Sequence, residues 1–180
     1  MIKSKNMNKF LIHTERTVLR KFREEDLDDL FQVLRNPEVM RFSLSGPYSR
    51  EKTSQFIEKC QSDYENRGFG LFAVEYITNR TVIGYCGFYH QFIDGKDEVE
   101  IGYRLHPKYW NRGLATETSK AVQDAGFDLY GFKRMISVIE PENTASIRVA
   151  EKNGMIYEKD ALFKSGVSVR IYTVEKGKNE

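Results

Sequence analysis

Glu98-Val99-Glu100-Ile101-Gly102-Tyr103-Arg104-Leu105, then His106-Pro107-Lys108-Tyr109-Trp110, then Asn111-Arg112-Gly113-Leu114-Ala115-Thr116-Glu117: this run decides how the rest of the chain is read. Its first residues alternate, with Val99, Ile101 and Tyr103 on one side and Glu98, Glu100 and Gly102 on the other, the period of a strand. From Leu114 the small and apolar positions Leu114, Thr118, Ala121, Val122 and Ala125 recur at helical spacing to about residue 130. A second β-rich stretch follows at 133–140. Strand, helix and strand in that order imply a parallel pair, because parallel neighbours need a crossover between them.

Upstream, residues 69–77 and 81–92 also alternate. They are separated by Thr78-Asn79-Arg80, and Asp94-Gly95-Lys96-Asp97 separates the second from the strand at 98–105. Both turns are short and polar, so these three strands should be antiparallel neighbours. Residues 14–22 read as one earlier strand. Leu27, Leu30, Phe31 and Leu34 make one face of a helix that Asn36-Pro37 ends. Ser49 is placed to cap a second helix, its inward face carrying Phe56, Cys60 and Tyr64. Downstream, 143–153 reads as a helix stopped by Gly154, and two final strands surround Lys164-Ser165-Gly166. The fold class is therefore α/β (α+β), a mixed and mostly antiparallel central sheet of about seven strands.

A chain of 180 residues suits one domain, expected over 10–176, behind a flexible basic N-terminus at 1–9 where Lys3, Lys5 and Lys9 meet no acid. With 28 basic and 26 acidic residues the net charge is +2, far from the basic footprint of a nucleic-acid binder. No window approaches the ~20 apolar residues of a membrane span. Cys60 and Cys86 stand far apart without a CxxC, and His13, His90 and His106 have no metal-ligand spacing. The expectation is a cytoplasmic protein with no metal, no nucleic acid and no membrane as partner.

Gly113 and Ala115 lie where a helix opens after a strand, which lets a bulky ligand approach the main chain. The first helical N–H groups have no intrahelical partner, and the dipole there favours an anion by roughly 0.3–2 kcal/mol per charge. Successive free N–H groups form a concave anion site, and Arg112 can add a charge-assisted contact. Neither a P-loop GK[ST] nor a G-x-G-x-x-G fingerprint is present. Taken alone, the loop also reads as an ordinary helix start with Gly113 in a tight turn.

Taken together, the segments resemble the GNAT superfamily of N-acetyltransferases, in particular its RimJ/RimL-like branch. The matching residues are Glu100-Ile101-Gly102-Tyr103, Trp110, Gly113-Leu114-Ala115-Thr116-Glu117, Asn143-Thr144-Ala145-Ser146 and Glu151-Lys152-Asn153-Gly154, with Glu15-Arg16-Thr17-Val18-Leu19-Arg20 and Glu24-Glu25-Asp26-Leu27 at the start. The resemblance implies the acyl-CoA N-acyltransferase fold, with helices on both faces and a splay between the fourth and fifth strands, 98–105 and 133–140. It implies acetyl-CoA as co-substrate. Main-chain groups of Tyr103, Arg104 and Leu105 would hold the pantetheine arm, and those of Asn111, Arg112, Gly113, Leu114, Ala115 and Thr116 the pyrophosphate. Asn143 and Ser146 would lie near the thioester, and Lys152 near the outer phosphates. Three departures stand out: Ala150 where many members have an acidic tyrosine, Trp110 where the loop commonly starts with Gln or Arg, and no Asp near Ser168.

The implied activity is acetyl transfer to a primary amine, a protein N-terminal α-amine or a small molecule, by direct attack in a ternary complex. The alternative is a non-catalytic acyl-CoA-binding or regulatory module on the same fold. At pH 7 an α-amine of pKa ~7.8 is roughly 14% neutral and a lysine-like amine about 0.04%, so the latter needs a base. Glu100 is the first candidate, although a solvated strand carboxylate is an equal reading. Glu140 is the second, and Glu117 reads as a partner for the helix dipole. Ser146 is the candidate acid toward the leaving thiolate, or else a serine bonded to its own helix. The acceptor would lie against the first two helices and the 42–48 loop, where Tyr48, Tyr64, Tyr85, Tyr89 and Phe92 line a cleft or belong to the core. Dimers are common in the family, so a homodimer is open, with no local interface signature.

Overall fold

The single strand that alternation predicts over 14–22 is shorter, and a strand ahead of it pairs with it: β1 (Leu11–His13) and β2 (Thr17–Arg20) form a hairpin. Thr14 closes the turn: its N–H donates to the Thr17 carbonyl and its hydroxyl accepts the Thr17 N–H, each at 2.9 Å. The structure is a computed structural model and describes residues 11–177, so the basic stretch 1–9 lies outside the described residues.

A 3-10 turn leads into α1 (Leu27–Leu34), and α2 spans Arg50–Asn66. Ser49 caps α2 as expected, accepting from the Lys52 N–H at 3.2 Å. Its buried face is Thr53, Ile57, Cys60 and Tyr64, which keeps the expected Cys60 and Tyr64 and sets Ile57 where Phe56 was expected. Phe56 is thereby turned half out of the core, with its ring 5.2 Å from that of Tyr85. There follow β3 (Leu71–Tyr76), β4 (Val82–Ile93), β5 (Lys96–Leu105), α3 (Leu114–Asp128), β6 (Arg134–Ile139), α4 (Thr144–Lys152), β7 (Ile156–Leu162) and β8 (Ser168–Glu175). All eight strands form one sheet, ordered β1-β2-β3-β4-β5-β6-β8-β7; every neighbouring pair is antiparallel except β5–β6.

Asp94 (φ 49°) and Gly95 (φ 77°) make the tight turn between β4 and β5, both in the left-handed region that a twisted two-residue hairpin requires. That turn sets Tyr89 opposite Glu100, Gly87 opposite Gly102 and Tyr85 opposite Arg104. Period two then gives the sheet two different faces. Ile101, Tyr103 and Leu105 lie toward α3 and α4, where Phe88 and Met135 pack on Gly126. Glu100, Gly102 and Arg104 lie on the face of α1 and α2. Helices thus cover both faces. Arg20 ties the start of the chain to the sheet, its guanidinium buried between Asp26 (2.7 and 2.8 Å) and Glu75 (2.8 Å). No helix among the described residues is long and apolar enough to cross a membrane.

Candidate active site

The parallel pair β5–β6 registers at Glu100 and Ile136 only. Past that point the two strands separate, and the pleat turns the main-chain groups of Ile101, Tyr103 and Leu105 into the gap. The Ile101 carbonyl is met by the Ser137 hydroxyl at 3.3 Å, and the Leu105 carbonyl by the Trp110 indole N–H at 2.7 Å. Trp110, 41% exposed, therefore packs as a cap on the strand end. The Tyr103 main chain and the Leu105 N–H are left facing the gap. Arg104 differs from the expectation: its carbonyl is turned to Gly84 of β4, so only its side chain belongs to the site.

Beyond β5, the Pro107–Tyr109 turn delivers the chain to α3. Asn111 (φ 56°) and Gly113 (φ 78°) are both left-handed, and Gly113 caps α3 without a side-chain bond. A β-carbon on Gly113 would meet only the Arg16 guanidinium at 3.5 Å, so the loop is open on its outer side. Among the described residues, no protein acceptor takes the main-chain N–H groups of residues 111–116. Asn111, Arg112 and Gly113 are exposed, Ala115 and Thr116 half-buried, and Leu114 is buried in the core. This is a nest of donors at the positive end of a fifteen-residue helix.

The loop is clamped by residues that sequence alone does not bring together. The Arg16 guanidinium donates to the Arg112 carbonyl (2.8 Å) and to the Glu117 carboxylate (2.6 and 2.7 Å). Glu117 also accepts from the Arg16 N–H (2.9 Å) and the Thr14 hydroxyl (2.6 Å). Burial works against its charge, but these donors outweigh it and hold the carboxyl below the usual range. Glu117 is thus a strut between the first hairpin and the loop, more than a partner for the dipole. The Arg112 guanidinium lies over the Tyr76 and Tyr109 rings, at 5.6 and 5.7 Å, and donates to the Tyr76 hydroxyl at 3.0 Å.

Asn143 caps α4, its side-chain oxygen accepting the Ser146 N–H at 3.2 Å. The Ser146 hydroxyl makes no bond to its own helix. It faces the Tyr103 phenol, whose pKa burial pushes well up while Ser146 acts in the opposite direction. Among the described residues, the buried Tyr103 hydroxyl has no hydrogen-bond partner. Tyr103, Ala150, Ser137, Ser119, Gln123 and Asn153 line one small cavity. Gln123 and Asn153 lock α3 to the end of α4, the Gln123 amide donating to the Asn153 carbonyl at 3.1 Å. The Lys152 ammonium, at that end, is exposed and forms no hydrogen bond or ion pair among the described residues. It stands apart from Asn143 and Ser146, at the opposite end of α4.

Glu100 is not a solvated carboxylate. It is half-buried on the α1–α2 face and accepts from the Gln91 amide at 2.5 Å, with the Val138 N–H near it across the gap. Lys164 in turn donates to Gln91 at 3.1 Å. Burial pushes the Glu100 carboxyl up to about 7, against the pull of these donors and of Arg104. Glu140 has no such surroundings; its carboxylate makes no hydrogen bond or ion pair among the described residues. Of the aromatic set, Tyr48, Tyr85 and Tyr89 converge here. Tyr64 is core, stacked on Phe72, and Phe92 is 67% exposed. Gln91 is not among the residues singled out from sequence, although the Asp94-Gly95 turn fixes which β4 residues lie beside Glu100.

Comparison with known proteins agrees with this geometry. The Acetyltransferase (GNAT) domain family matches residues 16–156. The chain is 36% identical to the Bacillus subtilis protein YkkB, covering 81% of this chain and 85% of the relative. It is 32% identical to the N-acetyltransferase p20 of Bacillus licheniformis, covering 85% of each. Among solved structures, a GNAT-family acetyltransferase from Bacillus anthracis superposes with a TM-score of 0.80 at 29% identity, over 92% of this chain and 98% of that one. The RimL ribosomal L7/L12 α-N-protein acetyltransferase, solved with coenzyme A, shares the fold at a TM-score of 0.77 and 20% identity, over 92% and 97%. The chain belongs to the GNAT family and is an acetyl-CoA-dependent acetyltransferase.

Proposed function

We propose that this protein moves an acetyl group from acetyl-CoA to a primary amine by direct attack, with both substrates bound at once. The observation that carries the reading is Glu100: a carboxyl poised near neutrality, beside the strand gap and on the face of the acceptor helices. The residues present fit the cofactor. Outward N–H groups at 111–116 match a pyrophosphate, and the unpaired Tyr103 main chain matches the amides of a pantetheine arm, which would add to β5 like a strand. When bound, acetyl-CoA supplies the electrophilic thioester carbonyl. Glu100 would take the proton from the ammonium form of the acceptor, through water if the reach requires it. Ser146, with the Tyr103 hydroxyl behind it, would donate toward the departing sulfur in place of the tyrosine that Ala150 replaces. Asn143 holds the start of α4, and so Ser146, in register with β5.

The test is release of free thiol from acetyl-CoA with a panel of N-terminal peptides and aliphatic amines. Acceptor-dependent release with a matching N-acetyl product is expected. Tight cofactor binding with no turnover on any acceptor would contradict the reading. The clamp gives a second expectation. Glu117→Gln keeps the shape but removes the charge that holds Arg16 against the loop, and it should weaken coenzyme A binding about tenfold, roughly 1.4 kcal/mol, in calorimetry. Unchanged affinity would mean that the loop holds its conformation without the strut.

A further inference from the structure

Arg104 has no carboxylate within ion-pair distance among the described residues, and we propose that its counter-ion is a carboxylate carried by the amine acceptor itself. The inference rests on the acetyl-transfer reading above and adds the substrate class. Guanidinium groups taken out of water are normally paired, as Arg20 in this same protein is with Asp26 and Glu75. Arg104 is half-buried and meets only neutral groups: it donates to the Tyr85 hydroxyl at 2.6 Å and to the Phe42 carbonyl at 3.3 Å. Two of its five N–H groups are used in this way, leaving a fork suited to a carboxylate.

The surroundings strengthen the same sign. Lys52 lies 4.4 Å over the Tyr48 ring and the Arg41 guanidinium 5.1 Å over the Phe42 ring, and among the described residues neither has a carboxylate within ion-pair distance. One wall of the acceptor side is therefore cationic. Glu100 lies four residues back along the same strand face, about 13 Å away at the main chain. Between the two is Gly102, where a β-carbon would come within 2.5 Å of the Tyr89 ring, so the ring lies flat on the strand. An acceptor fitting this strip has its amine toward Glu100, an apolar middle over Tyr89 and a carboxylate on Arg104. An amino-acid derivative or a short peptide has that layout. A polyamine would bring further positive charge against Arg104, Lys52 and Arg41.

Two matched pairs test this: alanyl-alanine against its C-terminal amide, and the amidated peptides Ala-Asp-Ala and Ala-Asn-Ala, with spermidine as a polycation. In at least one pair the acid should exceed its neutral partner tenfold or more in kcat/KM, chiefly through KM, and spermidine should rank below both. In Arg104→Gln the acid-to-neutral ratio should fall to about one, with part of it kept in Arg104→Lys. A merely structural Arg104 would lower every acceptor alike and leave the ratio as in the native protein, which would overturn the proposal, as would a native preference for the neutral partners or for spermidine. If no acceptor is acetylated, titration of N-acetyl-alanyl-alanine into the coenzyme A-loaded protein decides separately. Saturable binding that Arg104→Gln abolishes keeps the carboxylate site while the transfer reading falls; no saturable binding removes the carboxylate site.

Discussion

Gly113→Glu is expected to lose coenzyme A binding, by a factor of 100 or more in Kd. The new carboxylate would sit at the N-cap of α3, among donors that have no protein partner among the described residues, and repel the phosphates they are proposed to hold. A hundredfold loss corresponds to about 2.7 kcal/mol. The backbone contributes separately, because at φ 78° any L-residue is strained, by about 1 kcal/mol. Gly113→Ala isolates that part: its β-carbon finds only ordinary contact with Arg16, so it should keep most of the affinity at a small loss of stability. The readout is thermal shift and calorimetry. Coenzyme A at 100 times its Kd should stabilise the native protein by about 2.7 kcal/mol and leave the glutamate variant unmoved. Affinity within threefold of native in that variant would place the phosphates elsewhere.

Glu100→Gln is expected to cut kcat by about 10²–10⁴, the usual worth of a positioned base. The native kcat/KM should rise with pH through about 7, as the carboxyl ionises, and that limb should vanish in the variant. A uniform loss at every pH would assign Glu100 a packing role. The same residue predicts a stability effect of opposite sense. Burial raises the folded-state pKa of this acid above its ordinary value of 4.5, so folding takes up a proton between roughly pH 4.5 and 7. Stability conferred by the neutral form is complete below that window and declines as pH rises through it. Glu100→Gln, neutral at every pH, should match the native protein below about pH 4 and exceed it by about 1–3 kcal/mol at pH 8.5. A variant that is less active yet gains a stability advantage as pH rises through roughly 4.5 to 7 would identify a charge kept in place for function.

Much of this architecture was legible because it is written in local patterns. The period-two runs at 81–92 and 98–105 and the Asp94-Gly95 turn produced β4, β5 and their register. The Ser49 cap and the spacing after Leu114 produced α2 and α3. The first hairpin was hidden because Thr14-Glu15-Arg16 carries none of the glycine, proline or asparagine that announces a turn; a threonine hydroxyl closes it instead. The loop at 111–116 was readable as a nest from its small residues at a helix start. Its clamp was not, since Arg16 and Glu117 are 101 residues apart and meet only once the sheet has formed. Glu100 shows the same limit. Alternation gives its face, but whether water or protein covers it depends on Gln91, Val138 and Lys164, which come from three other parts of the chain. The reading of Tyr103 to Leu105 as one main-chain ligand failed at Arg104 for a simple reason: alternate residues of a strand point their amides at opposite neighbours.

A crystal structure of the protein with coenzyme A is the most direct measurement. Pyrophosphate oxygens should lie about 2.7–3.2 Å from main-chain nitrogens between residues 111 and 116, with the arm running along Tyr103 in the gap between β5 and β6. Density for the cofactor at any other place, or those nitrogens turned inward onto protein acceptors, would contradict the account.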